Sequence, residues 1–174
     1  MKFIKKYEAL IRNSDSRALN HVLLPLSNAI EEMLKTLVEL QNGDHTKYPI
    51  GKIKKYFSDK YDTTTIKLSY EIRNINRYKI GELFTITLSS NNYRSSNYSM
   101  NINATNNETN GRSKRLEIER RLQEFMEKYV SRSNYLYAGG KNEFTINDIP
   151  DIIDEFKKIT SELQIEISRN KYNI

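Results

Sequence analysis

An α+β fold is what this sequence predicts, with a predominantly antiparallel sheet, helices on one face and a helical region ahead of it. Three observations carry that expectation. Apolar residues recur at helical spacing through residues 1–62; the spacing changes to strict alternation after Thr63; and helical stripes then return, interleaved with further short alternating runs. The expected order from Thr63 onward is β-β-β-α-β-β-α-β. Residues 1–62 form the helical region and 63–174 the α+β domain, with the two packed as one unit, because 174 residues supply one ordinary core.

The first helix is expected over Phe3, Ile4, Tyr7, Leu10 and Ile11, ending at Asn13-Ser14-Asp15-Ser16. A longer one follows from Leu19 through Leu26, Ile30, Met33, Leu34, Leu37 and Val38 to Asn42-Gly43, with Pro25 expected to kink or split it. A third helix is read from Pro49 through Ile50, Ile53, Phe57 and Tyr61, proline being tolerated at a helix start.

The clearest strand has Ile66, Leu68, Tyr70 and Ile72 alternating with Lys67, Ser69, Glu71 and Arg73. Phe84, Ile86 and Leu88, then Tyr98, Met100, Ile102 and Ala104, repeat the pattern, giving a meander with one wet face. Residues 105–113 contain no apolar side chain and read as a loop. A helix follows on the stripe Ile118, Leu122, Phe125, Met126, Tyr129 and Val130, and its mixed charges form a solvated face. Tyr135 to Ile146 reads as a hairpin turning at Gly139-Gly140. Asn147 or Asp148 then caps a helix through Ile149, Ile152, Ile153, Phe156 and Ile159, and a last strand is expected at Leu163, Ile165 and Ile167.

Composition narrows the function. With no cysteine in the chain, disulfides, thiolate metal sites and cysteine nucleophiles are excluded. Only His21 and His45 are available as imidazoles, which weighs against an enzyme. The N-terminus has lysines but no apolar stretch of the secretory kind behind them, and no run is long enough to span a membrane, so a cytoplasmic location is expected. Asn, Ile, Lys and Tyr make up 68 of the 174 residues, the mark of A+T-rich codons.

The net charge is +6, and the excess is local: between Lys47 and Lys79 nine basic residues face only Asp59, Asp62 and Glu71. A local cationic surface is what a polyanion reads. The expected function is therefore non-enzymatic nucleic-acid binding by the basic, polar face of the sheet and its borders. Lys52, Lys55, Lys67, Arg73, Arg77, Lys79 and Arg94 supply cations, and Tyr93 a ring for stacking on unpaired bases. The alternative is a protein-interaction or inhibitor role, of the phage or mobile-element accessory type, with the stripe from Leu26 to Val38 buried against a host protein or a second copy.

Other constellations read as structural. Gly139-Gly140-Lys141 lacks the glycines and hydroxyl of a phosphate loop, and no cofactor is expected. Asp148, Asp151, Asp154 and Glu155 suit the first turns of a helix, where negative charge offsets the macrodipole, better than a metal. Arg17 and His21, one helical turn apart, resemble in type the Arg and His that HEPN ribonucleases carry on a helical bundle, and a ribonuclease of that kind is the third reading. Only three residues intervene here, fewer than in that family, and Arg73-Asn74 has no histidine after it.

Overall fold

Strand alternation and helical stripes meet in one core. The computed structural model describes residues 23–41, 51–60, 63–73, 79–91, 98–105, 112–130 and 142–172. Its elements run α1 (Leu24–Gln41), β1 (Gly51–Lys60), β2 (Thr63–Arg73), β3 (Lys79–Asn91), β4 (Tyr98–Ala104), α2 (Arg112–Val130), β5 (Asn142–Phe144) and, after a 3-10 turn at Ile146–Asp148, α3 (Ile149–Tyr172). The five strands form one antiparallel sheet in the order β1-β2-β3-β4-β5. The α+β class and the antiparallel sheet with a helix ahead of it are those expected. The helix over residues 3–11, the start of the next at residues 19–22, the loop at 106–111 and the hairpin arm from Tyr135 lie outside the described residues.

Alternation divides the sheet into two faces. Ile66, Leu68, Tyr70 and Ile72 of β2, Phe84, Ile86 and Leu88 of β3, and Tyr98, Met100 and Ile102 of β4 are buried on one face. They join a single cluster with the buried residues of all three helices. α1 lies against β1 and β2, α2 against β4 and β5, and α3 packs along α1. Between α2 and α3, Arg121 reaches Glu155 at 2.7 Å and also pairs with Glu162, while Lys114 meets Glu166 at 2.8 Å. The stripe of α1 is spent here: Leu26, Ile30, Met33, Leu34 and Leu37 are fully buried. Leu23, directly ahead of α1, is π-helical, so helical backbone precedes Pro25, and the kink or split expected there falls at the limit of the described residues.

Two elements differ from the sequence reading, for one geometric reason. Residues 51–60 form a strand, so the helix expected over Ile50–Tyr61 is corrected, and the sheet begins ahead of the boundary expected at residue 62. Ile53 and Phe57 are four residues apart, a separation that returns to the same face in a helix and in a strand alike. The residue between them on that face is Lys55, which hides the alternation. It points at α1, with Nζ 3.4 Å from Asn28 Oδ1 and 3.6 Å from Glu31 Oε2. At the other end, Leu163–Ile167 continues α3 and is not a strand. Ile159, Leu163 and Ile167 also fit helical spacing, and Ile165, off that stripe, is 53% exposed.

β5 pairs with β4, matching Tyr98 with Phe144, and the two rings stack 5.7 Å apart. Asp148 turns back on the entry to α3, accepting hydrogen bonds from the Thr145 backbone N–H at 2.8 Å and hydroxyl at 2.7 Å. At the far edge, Gly51 faces the core opposite Ile72, and the ring of Tyr70 lies over it. A Cβ there would stand 2.3 Å from Tyr70 Cε2. Gly51→Ala is expected to cost about 1–3 kcal/mol by displacing that buried ring, measured as a lowered urea midpoint with an unchanged denaturant slope.

Candidate nucleic-acid interface

The face of the sheet turned away from the helices is polar throughout. β1 places Lys52, Lys54, Tyr56 and Ser58 on it; β2 adds Thr65, Lys67, Ser69 and Glu71; β3 adds Thr85, Thr87 and Ser89; β4 adds Ser99, Asn101 and Asn103. Register sets Tyr56 opposite Lys67, Lys54 opposite Ser69 and Thr87 opposite Asn101. Among the described residues, no helix packs on this side.

A bulge organises its charged end. Phase alone would put residue 82 on the core face with Phe84 and Ile86, but the register shifts between Tyr70 and Glu71, so that Glu71 faces Glu82. The extra residue, Leu83, is buried, its carbonyl accepts from the Thr105 N–H at 3.0 Å, and the Glu82 carbonyl accepts from the Thr105 hydroxyl. Two carboxylates directly across an antiparallel pair repel. Lys79 answers by bridging them, with Nζ 3.4 Å from Glu71 Oε1 and 2.5 Å from Glu82 Oε1. Lys67 Nζ lies 2.9 Å from Glu82 Oε2, and the Thr85 hydroxyl donates to the same oxygen at 3.3 Å.

Glu71 is fully buried although it belongs to the polar face. The Tyr56 hydroxyl donates to its Oε1 at 2.8 Å, and Lys54 Nζ stands 3.8 Å from its Oε2. A buried carboxylate needs this compensation, since unpaired it would cost several kcal/mol. The hydrogen bond to Glu71 raises the Tyr56 hydroxyl above its ordinary value, and Glu82 does the same for Lys79. Hydrogen bonds from Lys79 and Lys67 hold Glu82 down to about 2. Ser69 Oγ, between these groups and the rest of the face, is buried without a hydrogen-bond partner among the described residues.

No protein-family model matches this chain, and no curated protein or solved structure matches it either.

The residues singled out from the sequence fall in different places. Lys52, Lys67 and Lys79 share the polar face, Lys67 and Lys79 as partners of Glu82. Lys55 stands on the opposite face, held between β1 and α1, where burial lowers its pKa against the pull of Glu31. Arg73 is placed by register at the end of β2, opposite Lys79. Arg77, Tyr93 and Arg94, and with them Arg17 and His21, lie outside the described residues. Sequence reasoning missed Lys54 and Tyr56, whose ring is 42% exposed with Lys54 Nζ 5.7 Å from its centroid. Reading residues 51–60 with a period of 2 would have found both. It also missed Arg115 of α2, fully buried and within electrostatic reach of Tyr70. Of the acidic residues on α3, Glu155 pairs with Arg121 and Asp154 approaches Lys157 at 3.5 Å.

Because the folded pKa of Glu82 lies below its unfolded value near 4.5, its stabilising contribution is full above that pH and is lost as pH falls through about 2. Glu82→Gln should therefore lower stability by roughly 1 kcal/mol near neutral pH and by almost nothing near pH 2, read from urea midpoints across that range.

Proposed function

We propose that the polar face of the sheet binds the sugar-phosphate backbone of nucleic acid without catalysing a reaction on it. The observation that carries this reading is the placement, among the described residues, of Lys52, Lys54, Lys67 and Lys79 on one sheet face, against only Glu71 and Glu82, with the described helices sharing the core on the other. Threonine, serine and asparagine side chains across β3 and β4 add hydrogen-bonding groups for phosphate and sugar oxygens. Such contacts fix position on the strand and carry no sequence information.

The four lysines are not equivalent. Lys67 and Lys79 are already ion-paired, Lys67 with Glu82 and Lys79 with both Glu82 and Glu71, whereas Lys52 is exposed with no ion pair among the described residues, and Lys54 has only its 3.8 Å approach to Glu71. The first phosphate contacts are therefore assigned to Lys52 and Lys54. Tyr56, between Lys54 and Lys67 on the same face, offers a partly exposed ring to an unpaired base.

Binding of labelled single-stranded and duplex oligonucleotides, followed by fluorescence anisotropy, tests this. Raising salt from about 50 to 200 mM should weaken binding about tenfold if two lysines meet phosphate and about a hundredfold if all four do. Replacing both Lys52 and Lys54 with glutamate should reduce affinity at least about tenfold and flatten the salt slope, with the unfolding midpoint unchanged. Equal affinity and slope in the variant would remove the sheet face as the site.

A further inference from the structure

Tyr56 carries the one aromatic ring on the polar face among the described residues, and it is 42% exposed. Two contacts set the position of that ring. Its hydroxyl donates to Glu71 Oε1 at 2.8 Å, and Lys54 Nζ stands 5.7 Å from its centroid. Glu71 is a firm anchor, because it is fully buried and because Lys54 and Lys79 approach it at 3.8 and 3.4 Å. A ring held in place before a ligand arrives has little side-chain freedom left to lose on binding. The hydroxyl thus serves the fold, while the ring behind it keeps part of its flat surface in water.

Side chains on one face of a strand recur at every second residue, about 7 Å apart. Along β1 this sets Lys52, Lys54 and Tyr56 in a line, two cations followed by a ring. A duplex can use the cations, since phosphates line its outside. It cannot use the ring, because its bases are stacked on one another and turn only their edges to the grooves. A single strand carries phosphates and unpaired bases on one flexible chain, so it can engage all three side chains at once.

We infer that the polar face selects single-stranded nucleic acid over duplex, stacking an unpaired base on Tyr56 and setting the phosphates to one side of that base on Lys52 and Lys54. The inference rests on the backbone-binding reading above, and adds to it a preference between strand forms that attraction of charge alone does not give.

The test uses the full chain and three labelled DNA probes of one length: an oligothymidylate, the same strand with its bases removed, and the duplex of oligothymidylate with oligoadenylate. At about 150 mM salt, where screening limits the advantage of the duplex's denser charge, the oligothymidylate should bind at least about fivefold more tightly than either of the others. Tyr56→Ala should remove that margin, and Tyr56→Phe, which keeps the ring, should retain most of it. An abasic strand that binds as tightly as the oligothymidylate would overturn the inference, and so would a margin that survives Tyr56→Ala. A loss as large in Tyr56→Phe as in Tyr56→Ala would also overturn it, by tracing the effect to the bond with Glu71 and not to stacking. Duplex binding as tight as that of the single strand, with its salt dependence intact, would overturn the preference and leave backbone binding standing. Absence of binding by all three probes even at about 50 mM salt would remove both. Should the alanine variant not fold, the intact and abasic strands on the unaltered chain decide.

Discussion

Among the described residues, three helices share one core with one face of a five-stranded sheet, and nearly every other described feature depends on that one-sided burial. An antiparallel strand sends alternate side chains to opposite faces, so one row in each strand must be apolar and the other must tolerate water. Burying the first row against α1, α2 and α3 supplies the main stabilisation, at roughly 25 cal/mol for each Å² of apolar surface removed from water. The same burial leaves a second row of lysines, hydroxyls and amides in register on the far side.

That polar face is more ordered than a solvated surface needs to be. The bulge at Leu83 reverses the phase of β3, buries a leucine, and turns Glu82 out to face Glu71. Two opposed carboxylates then require cations, and Lys79, Lys67 and Lys54 supply them, with Tyr56 donating to the more buried acid. Much of the positive charge counted along β2 and β3 is thereby committed within the fold. Among the described residues, Lys52 of β1 stays exposed and outside these ion pairs, at the margin of the sheet.

Lys55 shows how far a single buried charge can mislead a reading of pattern. Its long stem reaches between β1 and α1 to Glu31 and Asn28, and Lys35 pairs with the same glutamate at 2.7 Å. A lysine in this position interrupts the apolar alternation of its strand without disturbing the strand. The exposed Ile165 on α3 is the converse case, an apolar residue that completes an alternating triplet in sequence while standing off the helical stripe that is actually buried.

From the sequence alone came the class, the three central strands with their inward rows, the stripes of α1 and α2, the absence of cysteine chemistry, and the basic bias between Lys47 and Lys79. All of these follow from local periodicity and composition, which each segment carries within itself. Tertiary structure decided the rest. Whether Ile53 and Phe57 belong to a helix or a strand was settled by pairing with β2, because a four-residue spacing serves both. Which lysines remain available was settled by the bulge and by α1, because an ion pair depends on residues far apart in the chain coming within a few ångströms of each other.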